Sequence, residues 1–274
     1  MELLNYKVYS HDGTISFHKP VLVMIHGLGA GNANWVCQVR HLKKQYDLLL
    51  IELPSHGKSK VRMSQLEPTF EAVSDKVMEV LYHLGIQKAT FLGVSLGSLV
   101  VKTIVLTHSD RVDKYMLIGP VGQITTLLKI ALHVVMILLR ILPLQLILTL
   151  GSQIILPHKN SSYARDIFLA CAQRMDPKEL LAWARAILSF EKTQYKFAKT
   201  MKDEPNGVYI VGALDHFFLT MLGNDLKRAK NVVMVKNAGH LCNIDQYEAV
   251  NHVIIVFQET GTLDPKMMLT ASHS

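Results

Sequence analysis

Four apolar runs, each ending in loop residues, set the rhythm of the first 120 residues: PVLVMIHG (20–27), YDLLLIELP (46–54), KATFLGV (88–94) and DKYMLIGP (113–120). Short continuous runs of this kind predict buried strands. Between them, FEAVSDKVMEVLYHLG (70–85) carries apolar residues at 73, 77, 80, 81 and 84, one helical face closed by Gly85. The alternation predicts parallel strands joined by helical crossovers, with MELLNYKVYSHDG entering as a further strand.

After Pro120 the pattern changes. Residues 122–156 are intensely apolar and lack the strand-loop rhythm. Their polar positions, Thr125, Lys129, His133 and Arg140, fall on one narrow helical stripe. Gln145, Thr149, Ser152 and Gln153 mark a similar stripe on a second helix beyond Pro143. DPKELLAWARAILSF (176–190) opens with Asp176 as N-cap, Pro177 at the first helical position and Glu179 three residues after the cap. Strand patterns resume at GVYIVGALD (207–215) and NVVMVKNAGH (231–240), before a helix from about Asp245, its N-cap, to Thr260; the tail from 262 is expected to fray. The partition is therefore an α/β core of residues 1–120 and 204–274 with a helical insertion, 121–203.

Composition narrows the class. With 49% hydrophobic residues the chain can bury a sizeable core, which excludes disorder for most of its length. Cys37, Cys171 and Cys242 are odd in number and widely spaced, so they form neither a disulfide framework nor a metal motif. A reducing compartment fits, and with no basic-then-apolar leader at the start, cytoplasmic residence is the expectation. The net charge of +7 has no Lys/Arg run or aromatic-basic interleaving behind it, so nucleic acid is not an expected partner. Residues 121–205 hold eleven Lys/Arg against six Asp/Glu, which concentrates the positive excess in the insertion.

The chemistry centres on GVSLG (93–97). Ser95 stands between a strand pattern and a helix pattern (Leu96, Leu99, Val100, Thr103, Ile104), where the backbone must turn sharply. Gly93 and Gly97 let that corner close, and the turn aims a helix N-terminus at the serine oxygen. The pattern alone is weak. A serine needs a base, and the base an orienting acid, both on loops after later strands. Asp215 and His240 end the next two strand patterns, in the order Ser, Asp, His. His216, Asp110 and Asp113 are less well placed as base or acid. Two backbone amides must hold a developing oxyanion: Leu96, after the serine, and Leu28, in the glycine-rich loop of MIHGLGAGNANW (24–35). That loop lacks the spacing of a phosphate cradle. His26 is read as a loop anchor and Trp35 as packing.

His26-Gly27-Leu28-Gly29 with Trp35, LPSHGKS (53–59), GVSLG (93–97), DRVDKYMLIGP (110–120), VGALD (211–215) and AGH (238–240) together resemble the α/β-hydrolase fold, lipase/esterase-like members with an inserted cap. The resemblance implies a mostly parallel sheet flanked by helices, Ser95 as nucleophile, His240 as base, Asp215 as orienting acid, and Leu28 and Leu96 as oxyanion amides. This chain departs from the pattern at Glu52, where relatives carry Asp, and after Asp215, where HFFL (216–219) lacks a proline. A serine at 95 argues against dehalogenase or epoxide-hydrolase chemistry.

The expectation is a serine hydrolase for carboxylic esters with a fairly apolar acyl or alcohol part, needing no cofactor and no metal. The alternatives are carbon–carbon bond, lactone or thioester hydrolysis or acyl transfer by the same residues, and a non-catalytic binding protein on this fold. For the apolar insertion three readings compete: a transmembrane hairpin, ordinary packed cap helices, and a lid whose spare apolar surface lines an acyl pocket or touches a membrane surface. Oligomeric state is not encoded in any of these patterns.

Overall fold

The computed structural model describes residues 2–10, 20–200 and 206–263; all but the first two residues of the tail expected to fray from 262, and the 203/204 boundary, lie outside them. Strands β1 (Tyr6–Tyr9), β2 (Val21–Ile25) and β3 (Asp47–Ile51) are joined with α1 (Val36–Leu42) between β2 and β3. Next come α2 (Phe70–His83), β4 (Ala89–Val94), α3 (Leu96–Thr107) and β5 (Val112–Ile118). Helices α4 (Thr126–Leu138), α5 (Leu144–Ile155), α6 (Ser162–Ala172), α7 (Pro177–Ser189) and α8 (Glu191–Thr200) follow without a strand. The chain then returns through β6 (Gly207–Gly212), α9 (His216–Arg228), β7 (Asn231–Val235), the short α10 (Cys242–Asp245) and α11 (Tyr247–Thr260).

Among the described residues the seven strands form one sheet in the order β1-β3-β2-β4-β5-β6-β7. β1 pairs antiparallel with β3, and every other pairing is parallel. Because helices cover both faces, successive strand residues enter opposite cores, which is why the strands read as unbroken apolar runs. Val21, Val23, Ile25, Leu49 and Ile51 pack on the side of α2, α3 and α9. Leu22, Met24, Leu48, Leu50 and Leu92 pack on the side of α1 and α11. The chain runs from β2 outward to β3, then crosses back to place β4 on the other side of β2. That reversal opens a crevice at the carboxyl ends of β2 and β4.

Several expectations change. Helices α1 and α9 carry no clear periodicity in sequence, yet both form. β7 stops at Val235, and the rest of its predicted run, through Asn237 at φ 55°, is a loop delivering His240. Asp245 does not cap the last helix. Its carboxylate accepts from Ser161 Oγ at 2.7 Å and from the Gly239 N–H at 2.8 Å, tying the His240 loop to the inserted helices. Asp176 does cap α7 through the Lys178 N–H. Glu179, however, turns away from its own helix to bond Ser55 Oγ and Ser64. The transmembrane hairpin is overturned: α4 and α5 have 13 and 12 residues, about 20 Å each against a hydrocarbon core of about 30 Å. No helix among the described residues is long and apolar enough to cross a membrane.

Candidate active site

Ser95 sits at the β4–α3 corner with φ 50° and ψ −115°, a conformation rare for a side-chain-bearing residue. Its surroundings impose this. A Cβ on Gly93 would collide with the Gly97 carbonyl, and one on Gly97 with the Ile25 carbonyl. The corner is held by the Ser95 N–H donating to the Ile118 carbonyl at 3.0 Å. The serine lines the pocket that lies over the crevice between β2 and β4.

Asp215 and His240 arrive from the ends of β6 and the β7 loop. The His240 ring lies with Nε2 2.8 Å from Ser95 Oγ and Nδ1 2.8 Å from Asp215 Oδ2. A carboxylate can only accept, so Nδ1 carries the proton donated to Asp215, and Nε2 is left to accept from the serine hydroxyl. His240 and Asp215 are buried while Ser95 is half-buried, and Ser95 and His240 both line the pocket. Asp215 also caps α9, accepting from the Phe218 N–H. That helix places the Phe218 ring against the imidazole. The three residues proposed from spacing are thus brought together, while His216 points away onto the surface and packs edge-on against His158. Asp110 and Asp113 flank the start of β5, far from the serine along the sheet.

Leu28 and Leu96 line the same pocket as Ser95. The Leu96 N–H is the first amide of α3 and has no intrahelical partner; the Leu28 N–H likewise has none among the described residues. Two buried histidines hold the Leu28 loop. His26 donates from Nδ1 to the Gly27 carbonyl and accepts at Nε2 from the Leu53 N–H. His56 donates to the Pro54 carbonyl and accepts from the Gly29 N–H at 2.9 Å. Burial lowers the His26 pKa to about 4; burial and the neighbouring His26 lower that of His56 to about 3. Both rings stay neutral, which their accepting nitrogens require. Glu52 takes bonds from Asn5 Nδ2 and the Lys58 N–H, bracing the same loops from behind.

Above Ser95 lies a cavity of about 180 Å³ walled by Leu28, Val121, Leu132, Phe168, Ile187 and Phe218. α4 and α5 contribute to it, as do α6 and α7. Asn34 also lines it, buried, with neither amide atom bonded among the described residues. Val121, the first inserted residue on the wall, is pinned to α3: Ser98 Oγ accepts from its N–H and Lys102 Nζ donates to its carbonyl. Among the described residues no group of three or more His, Cys, Asp or Glu is placed to hold a metal.

Sequence reading missed Phe218, Asn34 and His56, and took Glu179 only as part of the α7 start. No local signal pointed to Phe218. The others act through partners distant along the chain, which local spacing does not reveal.

The family model described as alpha/beta hydrolase fold matches residues 20–247. A pimeloyl-acyl-carrier-protein methyl ester esterase of Yersinia enterocolitica is similar at 34% identity over 92 residues, 33% of each chain. The matched segments cover 33% to 39% of the lengths of the curated relatives. Among solved structures, an enol-lactonase from Burkholderia xenovorans LB400 superposes with a TM-score of 0.76 at 18% identity, covering 93% of this chain and 96% of that one. An esterase from Exiguobacterium antarcticum does so with a TM-score of 0.77 at 15% identity, covering 94% and 96%. At such identities the structural likeness carries the fold.

Proposed function

The chain belongs to the α/β-hydrolase fold family, and on that premise we propose that it is a serine hydrolase cleaving carboxylic esters with an apolar acyl or alcohol part. The observation that carries this is the continuous hydrogen-bonded series Ser95–His240–Asp215, opening onto an apolar cavity. The esterase named among its relatives supports the same reading.

His240 Nε2 takes the hydroxyl proton as Ser95 Oγ attacks the ester carbonyl, and Asp215 stabilises the imidazolium. The Leu28 and Leu96 amides receive the oxyanion. The imidazolium then protonates the departing alkoxide, leaving an acyl-enzyme, and water deprotonated by His240 releases the acid. Residues 121–203 serve as the cap that selects the substrate over a core of 1–120 and 204–274. An apolar cavity of about 150 Å³ accommodates a six-carbon ring, so a pocket of about 180 Å³ suits an acyl group of about six to eight carbons. Asn34 offers its free amide to a polar group on the substrate.

Fluorophosphonate labelling of the wild type and Ser95→Ala, followed by an ester and lactone panel of increasing acyl length, tests this. Labelling of the wild type and not of Ser95→Ala, with medium-length esters turned over fastest, is expected. A folded wild type that takes no label overturns the hydrolase reading. A preference for lactones would keep the nucleophile and replace the substrate class.

A further inference from the structure

The side of α4 and α5 turned away from the cavity is apolar as well. On α4, Leu127, Ile130, Val134, Ile137 and the following Ile141 are 46–70% exposed; on α5, Leu146, Leu150 and Ile154 are 44–67% exposed. On α4 the spacing is three, four, three, four, a single helical stripe. At about 100° per residue this stripe centres about 150° around the axis from Leu128, Leu132 and Val135, which face inward, and about 100° from Lys129, His133 and Arg140. α4 therefore has an apolar inner face, an apolar outer face and a basic line between them. Aliphatic side chains in such number on two consecutive helices are not the scattered exposure of an ordinary surface.

Charge indicates what covers this face. Residues 122–157 contain no Asp or Glu, and the inserted residues 121–200 hold ten Lys/Arg against four Asp/Glu. One of those four acids, Glu179, is buried against Ser55 and Ser64, and another, Glu191, pairs with Lys129, which leaves Arg140 as the cation of α4's basic line with no ion pair among the described residues. Arg140 stands exposed beside Ile137 and Ile141. A face that packed against a second copy would gain nothing from a shared positive sign. A surface of acyl chains beneath anionic headgroups matches both the stripe and the basic line at its edge.

We propose that the outer faces of α4 and α5 dock on an anionic lipid bilayer, lying in the interface without crossing it. The aliphatic stripes enter the acyl boundary while Arg140 and the basic line meet the headgroups. The inner faces of the same helices line the cavity above Ser95, so docking sets the pocket wall against the lipid. This surface does not depend on the hydrolytic reading, and its test measures no turnover.

The test is sedimentation of the full chain with vesicles of phosphatidylcholine alone or of equal parts phosphatidylcholine and phosphatidylglycerol. The wild type is expected to sediment with the mixed vesicles and far less with the neutral ones. Ile137→Gln/Ile141→Gln should weaken binding about tenfold or more, two aliphatic side chains no longer leaving water. Since both positions are exposed, its melting temperature should match the wild type. Arg140→Gln should weaken binding to mixed vesicles without changing the neutral baseline. A wild type left in the supernatant with mixed vesicles overturns the proposal, as does equal binding to both compositions or an unaffected double variant. Light scattering without vesicles adds the last outcome: a wild-type dimer abolished by the double variant would assign the face to a second copy instead.

Discussion

The Phe218 ring lies face to face on the His240 imidazole, their centroids 3.9 Å apart and their planes within 19°. A ring face so close favours a cation above it, and in the proposed reaction the imidazole becomes one as Ser95 attacks. Interactions of this kind contribute about 0.5–2 kcal/mol. Phe218→Leu should therefore lower kcat on a short ester by about 2- to 30-fold while the chain stays folded. Steady-state kinetics that changed KM alone would reduce Phe218 to a wall of the pocket.

Two carboxylates approach His240, and their roles separate on substitution. Asp215→Asn presents an amide N–H to Nδ1, forces the ring proton onto Nε2 and should cut kcat by about 10⁴-fold. Asp245→Asn loosens the loop through Gly239 and Ser161 instead. It should cost about 1–3 kcal/mol of stability and leave kcat within about tenfold. Equal losses of kcat would show that spacing along the chain misassigned the acid.

His26 and His56 make the fold acid-sensitive. With folded pKa values of about 4 and about 3 against 6.5 in the unfolded chain, only the unfolded state takes up protons just below pH 6.5. Stability is fully present above about pH 6.5 and falls as pH drops toward about 4, by about 1.4 kcal/mol per pH unit for each ring. Denaturant titrations across this range should show that slope, reduced by about one proton in His56→Gln. An unchanged slope in the variant would mean that His56 is not the neutral, buried acceptor described.

Lys102 is wholly buried on α3, its Nζ 3.3 Å from Asp225 Oδ2 and set over the Phe197 and Tyr209 rings. Burial lowers its pKa, while Asp225 opposes the shift. Lys102→Met strands the Asp225 carboxylate and frees the Val121 carbonyl, and should destabilise by about 3–5 kcal/mol. Lys102→Met/Asp225→Leu should recover most of that loss. Chemical denaturation of both variants measures it, and a double variant as unstable as the single one would contradict the account.

The sheet was legible because parallel strands covered on both faces must be apolar throughout, so KATFLGV and YDLLLIELP announce themselves. Ser95 was legible because its corner demands Gly93 and Gly97 close by in sequence. Asp176 was readable as a cap for the same local reason. Asp245 was not: a residue before a helix looks like a cap, and nothing nearby shows that Ser161, 84 positions earlier, receives its carboxylate. Glu179 misled similarly, its partner Ser55 being 124 residues away. α9 escaped notice because its residues carry no clear periodicity and Asp215, which caps it, reads in sequence as the end of the β6 run.

β5 and β6 lie side by side, Tyr115 facing Gly207, although α4 to α8 intervene between them in the chain. The sheet closes as though that segment were absent, and Ser95, Asp215 and His240 all belong to what remains. On the proposed function, reaction and selectivity would fall to different stretches of the polypeptide. Substitutions at cavity-facing positions of α4 to α8 would then redirect which molecules are admitted while Ser95, Asp215 and His240 stay on the core, so long as the ties of Ser161 to Asp245 and of Glu179 to Ser55 are kept.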